Sequence, residues 1–175
     1  MRPLLIVMAT VAMSCGSASD LIEFSSETPD DVRQLAQAAM TDFLEVFPAQ
    51  RQCVAGVRLD IDPDFEARGR YEPETATVIL RTPATAPKLR ESLFHELAHH
   101  LEWNCPSQLE LRKPFLDAQG FSAGSEWTKG DAWEDSPSEH FAEAVVEVIE
   151  GRRNLTYGIN LSDQALELVR RWGHG

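Results

Sequence analysis

Leu93-Phe94-His95-Glu96-Leu97-Ala98-His99-His100-Leu101 is the stretch whose reading decides the fold of this chain. Leu89, Leu93, Phe94, Leu97, His100 and Leu101 recur on one broad arc, Pro87 opens the segment and Asn104-Cys105-Pro106 stops it. A helix is therefore predicted over roughly Pro87 to Trp103. His95 and His99 fall on its other side. Side chains four residues apart on a helix sit one above the other, so both imidazoles can address a single ion. Zinc accepts nitrogen at about 2.0 to 2.1 Å and tolerates two such donors from one helical turn. Glu96 is rotated by about 100° from His95. It flanks the ion without ligating it, the place of a general base toward a water that the metal activates.

A catalytic zinc site needs a third protein ligand and one open position. Downstream candidates are Glu102, Glu110, Asp117, Glu126, Asp131, Glu134, Glu139, His140 and Glu143. Asp135-Ser136-Pro137 announces a helix that runs to Glu150 and stops at Gly151, with Phe141, Ala144, Val145, Val148 and Ile149 as its apolar arc. Glu139 and Glu143 lie four apart on the side away from Phe141 and Val145. One can ligate while the other orients a histidine. Ser136-Pro137-Ser138-Glu139 is also a capping-box sequence, in which Glu139 would reach back to the first amide of the helix. With His95 and His99 upstream, Glu139 is read as the ligand.

His95-Glu96-x-x-His99, followed 40 residues later by Glu139-x-Phe141-Ala142-Glu143, resembles the gluzincin family of zinc peptidases. The second motif is similar to that of the anthrax lethal factor catalytic domain and of related small zinc peptidases. The resemblance covers about 65 residues, from Leu89 to Glu150. It implies a zincin-like fold, peptide-bond hydrolysis, Glu139 as third zinc ligand and Glu143 as its supporting carboxylate. It departs from the family where a tyrosine shortly before the ligand glutamate stabilises the oxyanion. Here that stretch reads Gly130-Asp131-Ala132-Trp133-Glu134. Tyr157, His140 and Tyr71 are the alternative donors, with Tyr157 preferred.

The remaining segments read as scaffold. Thr28-Pro29-Asp30-Asp31 starts a helix whose apolar residues, from Val32 to Phe47, recur at helical spacing until Pro48. Val57, Leu59 and Ile61 alternate with Arg58, Asp60 and Asp62, the period of a half-buried strand. Tyr71-Glu72-Pro73-Glu74 reads as a turn, and Thr75 to Thr82 as a second strand returning beside the first. Residues 107–135 are the least regular, with a short amphipathic piece near Leu109 to Leu116 interrupted by Pro114. A last helix is expected from Ser162 to Trp172. The fold class that results is α+β: a small antiparallel or mixed sheet packed on the active-site helix, with a second helix bearing Glu139.

Met1 to Ser19 has one positive charge, ten apolar residues and then small residues, the pattern of a signal peptide too short to cross a bilayer as a helix. Residues 1–18 are read as this leader, 19–27 as a polar tether and 28–175 as one domain. Cleavage before Cys15 would leave a lipid anchor for membrane attachment; cleavage after Ala18 would release the chain. Either places the protein outside the cytoplasm, at the cell envelope, in the periplasm or beyond. Cys53 and Cys105 are then a candidate disulfide, with two buried thiols as the alternative. A net charge of −12, from 16 basic and 28 acidic residues without a basic cluster, argues against nucleic acid or an anionic membrane surface as partner.

His100 projects with Leu89 and Leu93 and reads as a hydrogen-bonded core histidine. The four tryptophans read as core or rim packing, Trp127 and Trp133 being the two that stand near the site. The expectation is an exported, monomeric zinc metallopeptidase acting on a peptide or protein. A zinc-stabilised surface lipoprotein without catalysis is the alternative, and a helical binding module with a chance histidine pair is the third reading.

Overall fold

The computed structural model describes residues 18–151 and 158–175. Residues 1–17, with Cys15, and residues 152–157, with Tyr157, lie outside the described residues. Within them the chain is an α+β fold of five α-helices and a four-stranded sheet. The strands are β1 (Ile22–Phe24), β2 (Val57–Ile61), β3 (Gly69–Glu72) and β4 (Thr77–Leu80). The helices are α1 (Asp30–Val46), α2 (Ala86–Asn104), α3 (Pro106–Gln119), α4 (Pro137–Glu150) and α5 (Asp163–His174).

The sheet is mixed, in the order β1-β2-β4-β3. β1 runs parallel to β2 and β2 parallel to β4, while β3 pairs antiparallel with β4 at the edge. Two expectations are corrected here. The stretch 19–27, read as a tether, supplies β1, whose Ile22 is buried opposite Val57. Tyr71 and Glu72, read as part of a turn, complete β3; the reversal comes after them, where Ala76 N–H bonds the Pro73 carbonyl and Ala76 takes a positive φ of 51°. The second strand of the sequence reading, β4, does lie beside the first, running parallel to β2, and it also pairs antiparallel with β3.

Register puts Leu59, Val78 and Tyr71 in one row, and Ile61, Leu80 and Gly69 in the next. Paired residues share a face, and this face meets α2. At Gly69 the approach is close, since a Cβ there would lie 2.8 Å from the Glu96 Oε1 and 3.0 Å from its Cγ. On its other side α2 packs against α1 and α4 through buried Phe94, Leu97, Leu101, Phe43, Phe141 and Val145.

α3 is one continuous helix through Pro114, longer than the short piece expected. The proline removes one backbone donor, yet Leu111 and Phe115 on either side bury their side chains and hold the helix against the core. Cys53 and Cys105 are bonded, tying the loop before β2 to the junction of α2 and α3. No helix among the described residues is long and apolar enough to cross a membrane.

Candidate metal centre

The inner half of α2 supplies His95, Glu96 and His99, and the first two turns of α4 supply Ser138, Glu139 and Glu143. Helix α4 starts as its sequence signals, but the capping-box reading fails. Ser136 makes no side-chain cap, and the Glu139 carboxylate is bonded to the histidines rather than to the Ser136 amide. His95 Nε2 lies 3.0 Å from Glu139 Oε2, His99 Nε2 lies 3.2 Å from His95 Nε2, and His99 Nε2 lies 3.5 Å from Glu139 Oε2. Among the described residues this is the group that could hold a metal ion. Glu110, Asp117, Glu126, Asp131 and Glu134 join no such group.

The outer ring nitrogens are also held. His95 Nδ1 donates to Glu143 Oε1 at 3.0 Å, the supporting role expected of that residue. His99 Nδ1 donates to Glu102 Oε2 at 3.2 Å, and the Ser138 hydroxyl donates to both Glu102 oxygens at 2.9 and 2.7 Å. Sequence reasoning weighed Glu102 only as a ligand and missed this function. The signal was its position three residues after His99, one turn on along the same face. With each Nδ1 donating outward, both Nε2 atoms point inward, where each can offer a lone pair to an ion once its proton has left.

Burial opposes charge on His95, but the hydrogen bonds to Glu139 and Glu143 overcome it and lift its pKa to about 9. For His99 burial likewise opposes charge, and Glu102 and Glu139 raise its pKa well above the ordinary imidazole value. Glu139 is desolvated, yet its bonds to the two histidines hold it far below the usual carboxylate range. Glu96 shifts the other way, raised by burial, with the neighbouring histidines and the Tyr71 amide pulling it back. Four carboxylates therefore crowd two imidazoles in a mostly dry site. Their charge calls for protons or a cation in the middle.

Three donor atoms 3.0 to 3.5 Å apart test the fit of a metal. Donors about 2.05 Å from a tetrahedral ion are separated by about 3.3 Å, which these are without rearrangement. The set of two nitrogens and one oxygen suits a borderline divalent ion, and three protein donors leave one position open.

Two hollows meet over this centre. The first, about 690 Å³, is lined by Glu66, Arg68, Arg81, Glu91 and Glu134; the second, about 380 Å³, by Tyr71, Pro73, Trp103, Thr128 and Trp133. Gly69, His95, Glu96 and Trp133 border both. The indole of Trp133 stacks on the His95 ring, centroids 6.1 Å apart and planes at 21°. Trp127 is not at the site; it is buried against Phe115 and Phe141 with Arg112 over its ring.

The alternative oxyanion donors are corrected by their partners. Tyr71 donates its hydroxyl to His100 Nδ1 at 3.1 Å and accepts from Asn104 at 2.9 Å, so it faces into the core. His140 donates from Nε2 to the Glu134 carbonyl at 2.7 Å and accepts at Nδ1 from Gln119 at 2.8 Å. Both of its nitrogens are thus committed, one to the loop before α4 and the other to the end of α3. His100 is the core histidine expected, its pKa pushed down to about 4 by burial. No family model, curated protein or solved structure matches the chain.

Proposed function

We propose that this chain is an exported, zinc-dependent metallopeptidase with a zincin-like fold. The observation that carries the reading is the convergence of His95 Nε2, His99 Nε2 and Glu139 Oε2 at tetrahedral spacing, with Glu143 and Glu102 orienting the two rings. Zinc, when bound by these three residues, polarises a peptide carbonyl and makes a water nucleophilic near neutral pH.

The chain's own groups supply the remaining steps. Glu96, next to His95 and bordering both hollows, takes a proton from the attacking water as its oxygen adds to the carbonyl carbon. It returns that proton to the amine as the carbon–nitrogen bond breaks. A substrate strand lies between the β3 edge and α2, crossing from one hollow to the other over Gly69. Export agrees with the leader and with the Cys53–Cys105 bond.

Glu96→Gln keeps zinc and loses about 10² to 10⁴-fold in kcat, the usual contribution of a general base. Zinc content near one per chain, in protein purified without a histidine tag, accompanies it. Unchanged turnover in that variant refutes the role of Glu96. A second reading keeps the metal without the chemistry, and the inward-facing hydroxyl of Tyr71 favours it. A full complement of zinc with no cleavage of a broad peptide library decides for that reading.

A further inference from the structure

Along α2, His95, His99 and Trp103 stand at positions i, i+4 and i+8, so Trp103 continues the stripe of the histidines by one more turn. It is 64% exposed, although it is the largest kind of apolar side chain. Only three large apolar side chains are exposed among the described residues: Trp103, Leu109 at 59% and Trp133 at 40%. Two of those three line the same hollow, the one beside His99 and Glu139. Exposed apolar surface gathered at one concave place marks a site that something covers.

We infer that Trp103 and Trp133 form a specificity subsite for an aromatic side chain of the substrate, phenylalanine or its relatives, at a position flanking the scissile bond. The inference rests on the metallopeptidase reading and gives it a substrate class. Two indoles and the Pro73 ring offer flat apolar walls, against which an aromatic ring gains both burial and ring-to-ring contact. A cationic side chain has less to gain. Of the three carboxylates lining this hollow, Glu139 is engaged by the histidines and Glu102 by His99 and Ser138, which leaves Glu96, the proposed base, and Arg70, paired with Glu72, also lines it. The opposite hollow, with Glu66, Arg68, Arg81 and Glu91, lacks aromatic walls apart from Trp133. Preference is therefore one-sided.

The experiment has a binding arm and a cleavage arm. In the first, the zinc-loaded Glu96→Gln chain is titrated by calorimetry with an alanine-rich peptide and with the same peptide carrying one central phenylalanine. The phenylalanine peptide binds about tenfold tighter, the scale of one well-placed aromatic contact. That ratio falls toward one when Trp103→Ala is added, and Trp103→Phe restores it. Because Trp103 is mostly exposed, its removal leaves the core intact, which the melting temperature checks. In the second arm, the zinc-loaded natural chain cleaves a peptide library, and aromatic residues are enriched on one side of the cut, less so in Trp103→Ala.

A binding preference without any cleavage overturns the peptidase reading and leaves the two indoles as an aromatic-binding pocket with no scissile bond beside it. Cleavage without aromatic enrichment, enrichment of lysine or arginine, or a preference indifferent to Trp103 overturns the subsite and leaves the peptidase reading standing. Neither binding nor cleavage overturns both.

Discussion

Removing the Glu102 carboxylate loosens His99 without deleting a ligand, so Glu102→Gln and Ser138→Ala are expected to weaken zinc affinity by about 10 to 100-fold while the chain stays folded. Competition with a zinc-sensitive dye measures it. His95 gives a pH dependence whose sign follows from its raised pKa. In zinc-free protein its charge adds stability that is complete below about 6.5 and disappears as the pH climbs through about 9. Glu139, depressed, adds stability above the ordinary carboxylate range and loses it in acid. The zinc-free protein should therefore melt at a lower temperature at pH 9 than at pH 6, with zinc reversing the order, since the ion displaces those protons and binds more tightly as pH rises. At this scale the sequence was informative where spacing alone fixes direction: His95 and His99, or Glu139 and Glu143. It was silent where a partner comes from a distant element. Tyr71 and His140 looked available as donors until His100, Asn104 and Gln119 were seen to hold them.

At the scale of elements, β3 and α2 approach so closely that a side chain at position 69 would meet that of Glu96. Gly69→Ala should push the Glu96 carboxylate aside, because the added methyl meets Oε1 and Cγ. A displacement of about 1 Å can cost about 10²-fold in rate, so kcat falls while zinc content and melting temperature hold. Zinc analysis beside a turnover assay separates the two effects. The helices were legible because α1, α2, α4 and α5 each carry enough turns for their apolar period to stand out. Strands β1 and β3 were not, being three and four residues long and partly polar. Their alternation never repeats, and only pairing with β2 and β4 defines them. Pro114 misled for a similar reason. Local propensity speaks against a helix there, and the packing of Leu111 and Phe115 overrides it.

For the molecule as a whole, the Cys53–Cys105 bond closes a long loop, with 52 residues of separation. Loop-closure entropy for that length amounts to about 4 kcal/mol. Cys53→Ala with Cys105→Ala should lower the unfolding free energy by about that much, read from urea curves in oxidised and reduced samples. Charge balance was readable from composition, whereas the order of the sheet was not, since β1 precedes β2 in the chain and β4 reaches its other side only after β3. Helices α2 and α4 meet nowhere in sequence and share a single seam in space, into which both contribute donors. An ion seated there acts as a rivet through that seam, and whatever binds only the assembled form adds to its stability by mass action. Chelators should thus behave toward this protein as mild denaturants, and its melting temperature should serve as a gauge of how much free zinc surrounds it.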